Sequence, residues 1–184
     1  SHTGKTLLRG GLIVDGTGAA PRPGSVLLDG GFIRGIGEVP NDAGTPIECA
    51  GKVIAPGFID AHSHMDFFSV SEDPHHFDSF TAQGVTTFVA GNCGFSPFGF
   101  AAETEHRRLL ERSLFKAGRD TLDWSSFAEY REVVDTIGVT QNFVHLVGHG
   151  AARTSLSGFD ARPLSSREHS QLLDLLDAAL REGA

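Results

Sequence analysis

The sequence is poor in sulfur, with two cysteines and one methionine in 184 residues. Two thiols in surroundings as unlike as those of Cys49 and Cys93 cannot make a disulfide framework, and a reducing, cytoplasmic setting is expected. No apolar run approaches the roughly 20 residues of a membrane span. No basic segment leads into an apolar stretch near the start, so no secretory signal is expected. Positive charge is scarce: 15 Lys and Arg stand against 23 Asp and Glu, a formal net charge of −8. That sign repels phosphate backbones and anionic lipid, so neither nucleic acid nor a membrane is an expected partner. There is no internal repeat and no low-complexity tract.

Glycine and histidine, by contrast, are plentiful, at 23 and 9 residues. Such a glycine content implies many tight turns and suits a strand-rich or α/β chain. Hydrophobic residues at 40% and charged residues at 21% are the mix of a globular chain, not a disordered one. The length allows one ordinary domain, or a small domain plus part of another.

Residues 1–55 read as short strands and turns. Leu7-Leu8-Arg9 and Gly11-Leu12-Ile13-Val14 precede the turn Asp15-Gly16-Thr17-Gly18, and Ser25-Val26-Leu27-Leu28 runs into the hairpin signal Asp29-Gly30-Gly31. No helical period lasts as long as two turns, so a small β module is expected. Pro56-Gly57 changes the pattern. From residue 56 to 184 strands alternate with helical segments: strands at 58–62, 85–90 and 139–147, and helices near 72–83, 103–117, 125–136 and 164–183. Strand–helix–strand order implies a parallel sheet or barrel, with ligands at the C-terminal strand ends.

Three motifs fall at those ends. In Asp60-Ala61-His62-Ser63-His64 the side chains alternate, so His62 and His64 point to one side and can bind one metal ion, unless they are merely two loop histidines. Gly91-Asn92-Cys93-Gly94 follows the second strand. Cys93 is there either a thiolate ligand or a small buried apolar side chain. Gly148-His149-Gly150 with Arg153 follows the third; His149 is a ligand, an oxyanion partner, a neighbour orienting a ligand, or a polar residue shaping a turn. Its two glycines would let backbone approach a substrate closely. Asp66 is placed to orient a ligand or a loop. Asp60 is expected to hydrogen-bond in the interior, His145 to be a satisfied core or helix-facing residue, His75, His76 and His106 to be surface groups, and Cys49 to be structural.

Lys52-Val53-Ile54-Ala55-Pro56-Gly57-Phe58-Ile59-Asp60-Ala61-His62-Ser63-His64 resembles the first-strand signature of the amidohydrolase superfamily. Gly84-Val85-Thr86-Thr87, Gly91-Asn92-Cys93-Gly94-Phe95-Ser96 and Leu146-Val147-Gly148-His149-Gly150 resemble its D-aminoacylase (N-acyl-D-amino-acid deacylase) branch more closely. The resemblance implies an α/β fold with a small β-sandwich module over 1–55. Over 56–184 it implies the first three β/α units of a metal-dependent (β/α)8 TIM-type barrel, incomplete in this chain. It implies Zn2+ held by His62, His64 and Cys93; Asp66, His149 and Arg153 are, beside these, candidate substrate-binding or supporting residues. The implied reaction is hydrolysis of the amide of a small-molecule N-acyl-D-amino acid by metal-activated water. A full barrel takes about 250 residues. The resemblance therefore implies a partial, inactive chain, with two more histidine ligands and the general-base Asp lying beyond residue 184. Another amidohydrolase (a dihydropyrimidinase-like cyclic amidase or a dipeptidase) and a non-catalytic amidohydrolase-like scaffold are the alternatives.

Overall fold

The computed structural model describes residues 4–71, 73, 75–114 and 122–184. The chain divides after Pro56 into two compact units.

In the first unit, β1 (Thr6–Ile13) is the central strand of a five-stranded mixed sheet. On one side it pairs antiparallel with β2 (Arg22–Asp29), which continues to β3 (Phe32–Gly37). On the other it pairs parallel with β4 (Thr45–Glu48) and β5 (Val53–Ile54). The β2–β3 hairpin closes through Gly30-Gly31, whose φ values of 56° and 83° are those a type I′ turn requires and a side chain resists. Leu7, Ile13, Val26 and Cys49 are buried, and the Cys49 thiol donates to the Ile47 carbonyl. Among the described residues this unit holds a single sheet. Phe32, Ile33, Ile47 and Val53 stay half or more exposed, because one sheet cannot bury both of its faces.

In the second unit β6 (Phe58–Ser63), β7 (Val85–Ala90) and β8 (Asn142–His145) form a parallel sheet in that order. A 3-10 turn (Met65–Phe67) and α1 (Asp78–Ala82) connect β6 to β7. Further along lie α2 (Arg107–Leu114), α3 (Phe127–Ile137), α4 (His149–Ser157) and α5 (Ser166–Glu182). One face of the sheet is aromatic: Phe88 is fully buried and meets Phe80 at 5.2 Å and Phe143 at 5.5 Å between ring centroids. Beside it Phe98, Trp124, Phe127 and Tyr130 form the main core, each ring contributing roughly 1.5–3 kcal/mol through burial. On the remaining sheet positions Phe58, Ile59 and Val144 are at least half exposed.

The helices expected near 125–136 and 164–183 are α3 and α5. Ser126 with Glu129, and Ser165 with Glu168, form reciprocal capping boxes, and Gly183 ends α5 in the left-handed region. The helix expected over 103–117 is α2, and residues 115–121 lie outside the described ones. The third strand is shorter than expected, and α4 begins where the sequence suggests only a turn. Gly148 and Gly150 disfavour helix, but Ala151 and Ala152 are fully buried, so packing overrides propensity.

Candidate metal centre

Strand alternation sets the site. At the end of β6 the Ser63 side chain is buried and accepts the Met65 N–H, while His62 and, one residue past the strand, His64 are exposed, ring centroids 5.8 Å apart. The Asp60 carboxylate accepts the His62 backbone N–H at 3.1 Å. His64 stacks on Phe67 at 6.3 Å.

Cys93 arrives from the turn that follows β7. Asn92 anchors that turn, its amide donating to the Ala61 carbonyl at 2.9 Å, so the β7 loop is tied to the end of β6. Cys93 is exposed, and its Sγ lies 3.0 Å from His62 Nε2. The donor atoms of His62, His64 and Cys93 all lie within 4.8 Å of one another. Around a tetrahedral zinc ion, donors at about 2.0 Å (nitrogen) and 2.3 Å (sulfur) sit roughly 3.3–3.6 Å apart. Two imidazoles and a thiol at this spacing fit a borderline-soft cation such as zinc with little movement.

Asp66 lies behind the histidines and is only 1% exposed. Its backbone carbonyl accepts from Ser69 Oγ (2.7 Å) and Tyr130 Oη (3.0 Å), which fastens the turn after His64 to α3. Its carboxylate oxygens make no hydrogen bond of ordinary geometry among the described residues. Burial raises its pKa to about 7, partly offset by the nearby N–H groups of Phe67 and of Asp66 itself. His145 faces the helices and is boxed in by Phe98, Phe127, Tyr130 and Phe143 at centroid distances of 5.3–5.6 Å. Its Nδ1 is buried without a partner among the described residues, so this histidine is helix-facing but that nitrogen is not satisfied, and burial lowers its pKa to about 4.

These two groups oppose each other in pH-dependent stability. Unfolded His145 takes up a proton below about 6.5 and folded His145 only near 4, so its contribution is complete above 6.5 and is lost as pH falls. Unfolded Asp66 ionises above about 3.8 and folded Asp66 only near 7, so its contribution is complete below 3.8 and is lost as pH rises. In chelator-treated protein, His145→Phe should leave stability falling as pH rises from 4 to 6.5, and Asp66→Asn should leave it rising, each by roughly 3 kcal/mol. Urea midpoints across that range measure both slopes.

The other expected site residues stand apart from the cluster. His149 is exposed at the first residue of α4. The Arg153 guanidinium donates to the carbonyls of Asp160 and Arg162 and so holds the loop after α4. His75 is exposed, whereas His76 and His106 are partly buried. Asn92 was not singled out as a site residue, although it lies inside the Gly-Asn-Cys-Gly motif. Its role depends on the Ala61 carbonyl, which sequence spacing does not reveal.

No family model matches the chain. It is 30% identical to a D-aminoacylase of Alcaligenes xylosoxydans xylosoxydans over 97% of this chain and 36% of that protein. Among solved structures it superposes with TM-score 0.81 and 33% identity on D-aminoacylase, described for its binuclear metal centre, over 97% of this chain and 37% of that one. It also superposes with TM-score 0.77 and 32% identity on the N-acyl-D-glutamate deacylase of Bordetella bronchiseptica, complexed with zinc and a phosphonate inhibitor, over 96% and 36%. The chain spans about a third of the length of the curated relatives it matches. Over nearly its whole length, then, this α/β chain is a relative of the D-aminoacylases, a branch of the amidohydrolase superfamily, and corresponds to the N-terminal portion of such an enzyme.

Proposed function

We propose that the protein is a zinc-dependent hydrolase of N-acyl-D-amino acids, and that His62, His64 and Cys93 are its metal ligands within these residues. One observation carries the reading: two neighbouring strand ends bring two imidazoles and a thiol within 4.8 Å of one another. A cation there would supply Lewis-acid polarisation of the acyl carbonyl and activation of water near neutral pH. The chain's own residues do the placing. Asn92 ties the two strand ends together, and Tyr130 and Ser69 hold the turn behind His64. His149, exposed at the start of α4, is assigned to substrate contact, and Arg153 acts by holding the loop after α4.

The three parallel β/α units of residues 56–184 are read as the first part of a (β/α)8 barrel. Phe58, Ile59 and Val144 would face the strands that complete it. Residues 1–55 are read as part of a β-sandwich whose second layer would cover Ile33 and Ile36, exposed on one face of the sheet. The general base and remaining ligands then come from elsewhere in the complete protein. No helix of the described residues is long and apolar enough to cross a membrane. Both cysteines are free, which suits the reducing cytoplasm we assign to it.

The complete protein should copurify with zinc, and should release a free D-amino acid from N-acetyl-D-amino acids while sparing the L enantiomers. Metal analysis and chiral chromatography test this. Hydrolysis only of dipeptides or cyclic amides would contradict the substrate class, and a metal-free, inert complete protein would contradict the enzyme reading.

A further inference from the structure

We propose that Gly148, Gly150 and Ser96 are positioning residues for Cys93. The first turn of α4 is a socket for the Cys93 loop, and it admits that loop only because positions 148 and 150 carry no side chain. The inference rests on the reading of His62, His64 and Cys93 as metal ligands.

Gly91 to Gly94 form a tight turn, closed by the Gly94 N–H donating to the Gly91 carbonyl at 3.0 Å, with Cys93 inside it. Asn92 fixes one side of this turn to β6. The other side is held by α4. The Gly94 carbonyl accepts the Ala151 N–H at 3.1 Å, one of the donors that a helix start leaves free. Ser96, fully buried, accepts the Gly148 N–H at 2.9 Å and donates to the Phe98 carbonyl at 2.7 Å. The fit is tight. A Cβ at position 148 would stand 2.6 Å from both the Gly94 oxygen and the Ser96 nitrogen, and one at 150 would stand 2.7 Å from the same oxygen. These are backbone atoms and cannot swing aside as a flexible side chain would. The glycines flanking His149 are therefore used to bring one stretch of protein backbone against another, not to admit a substrate.

Magnitude distinguishes a positioning role from a merely structural one. Restoring ordinary contact after Gly150→Ala requires the Gly94 carbonyl to retreat by about 0.7 Å. Cys93 is the adjacent residue, and a metal–ligand bond tolerates only about 0.2 Å. A shift that the fold absorbs is thus large enough to take the thiol out of reach of a shared ion. The predicted damage is concentrated on the sulfur ligand, because His62 is on β6 and His64 directly follows it, and among the described residues no hydrogen bond joins either side chain to α4.

The test uses the complete protein, stripped with chelator and reloaded with Co2+. In Gly150→Ala the thiolate-to-cobalt charge-transfer absorption should be lost, and cobalt affinity should fall by roughly 10–100-fold. In Ser96→Ala, which adds no bulk, both should change in the same direction by less. A second readout needs no metal: in crystals of either variant the His62 Nε2–Cys93 Sγ separation should exceed the 3.0 Å seen here. Wild-type absorption, affinity and separation in folded variants would overturn the proposal. Should Gly150→Ala fail to fold, Ser96→Ala decides. Should Cys93→Ala keep the wild-type absorption, the metal reading fails, and the crystallographic separation still decides whether α4 positions Cys93.

Discussion

Cys93→Ala, introduced into the complete protein, should strip most of its zinc and lower hydrolysis of N-acyl-D-amino acids by on the order of a thousandfold. In the proposed ligand set Cys93 is the single soft sulfur donor, and its loss would leave only two imidazole nitrogens. The turn itself should survive, since its anchors are the Asn92 amide, the Gly94 carbonyl and the Ser96 hydroxyl, none of which uses the sulfur. An unchanged melting temperature of chelator-treated variant and wild type would separate lost metal from lost fold. Cys93→Ser, which keeps size but exchanges the soft thiolate for a hydroxyl, should resemble the alanine variant. Zinc occupancy equal to wild type in either would remove Cys93 from the ligand set.

Trp124→Ala is expected to have the largest effect on stability, about 3–5 kcal/mol. The indole is 2% exposed, packs at 6.0 Å from Tyr130, and donates its Nε1 proton to the Pro97 carbonyl at 2.7 Å. Alanine opens a cavity in the main core and orphans a buried acceptor in the same step. Trp124→Phe should recover most of the packing and lose only the hydrogen bond, about 1–2 kcal/mol. Because Pro97 directly follows Ser96, both variants also loosen the segment that carries Cys93. Urea unfolding of chelator-treated protein measures the two costs, and a loss under 1 kcal/mol for alanine would show that Trp124 is not part of the core.

The three residues proposed as ligands were the most legible part of this molecule. His62 and His64 declare themselves through period-two alternation at a strand end, and Cys93 through the glycines that frame it after a β-branched run. The hairpin at Gly30-Gly31 and the helix over 164–183 are equally local, and they appear where the residues predict them. What could not be read depends on distant backbone. Asn92 acts through the Ala61 carbonyl, Tyr130 through the Asp66 carbonyl, and Ser96 through the Gly148 N–H, contacts spanning 31, 64 and 52 residues. Helix α4 was hidden because its glycines argue against a helix that tertiary packing imposes. His145 reads as a satisfied core or helix-facing residue; it faces the helices, but its aromatic box offers Nδ1 no partner among the described residues.

His62, His64 and Cys93 are proposed to share one metal ion. Anomalous diffraction at the zinc absorption edge, from crystals of the complete protein grown with zinc, tests it most directly. A peak within bonding distance of His62, His64 and Cys93 Sγ is expected. A zinc-saturated crystal whose anomalous peaks all lie elsewhere, or contact the histidines with Cys93 turned away, would contradict it.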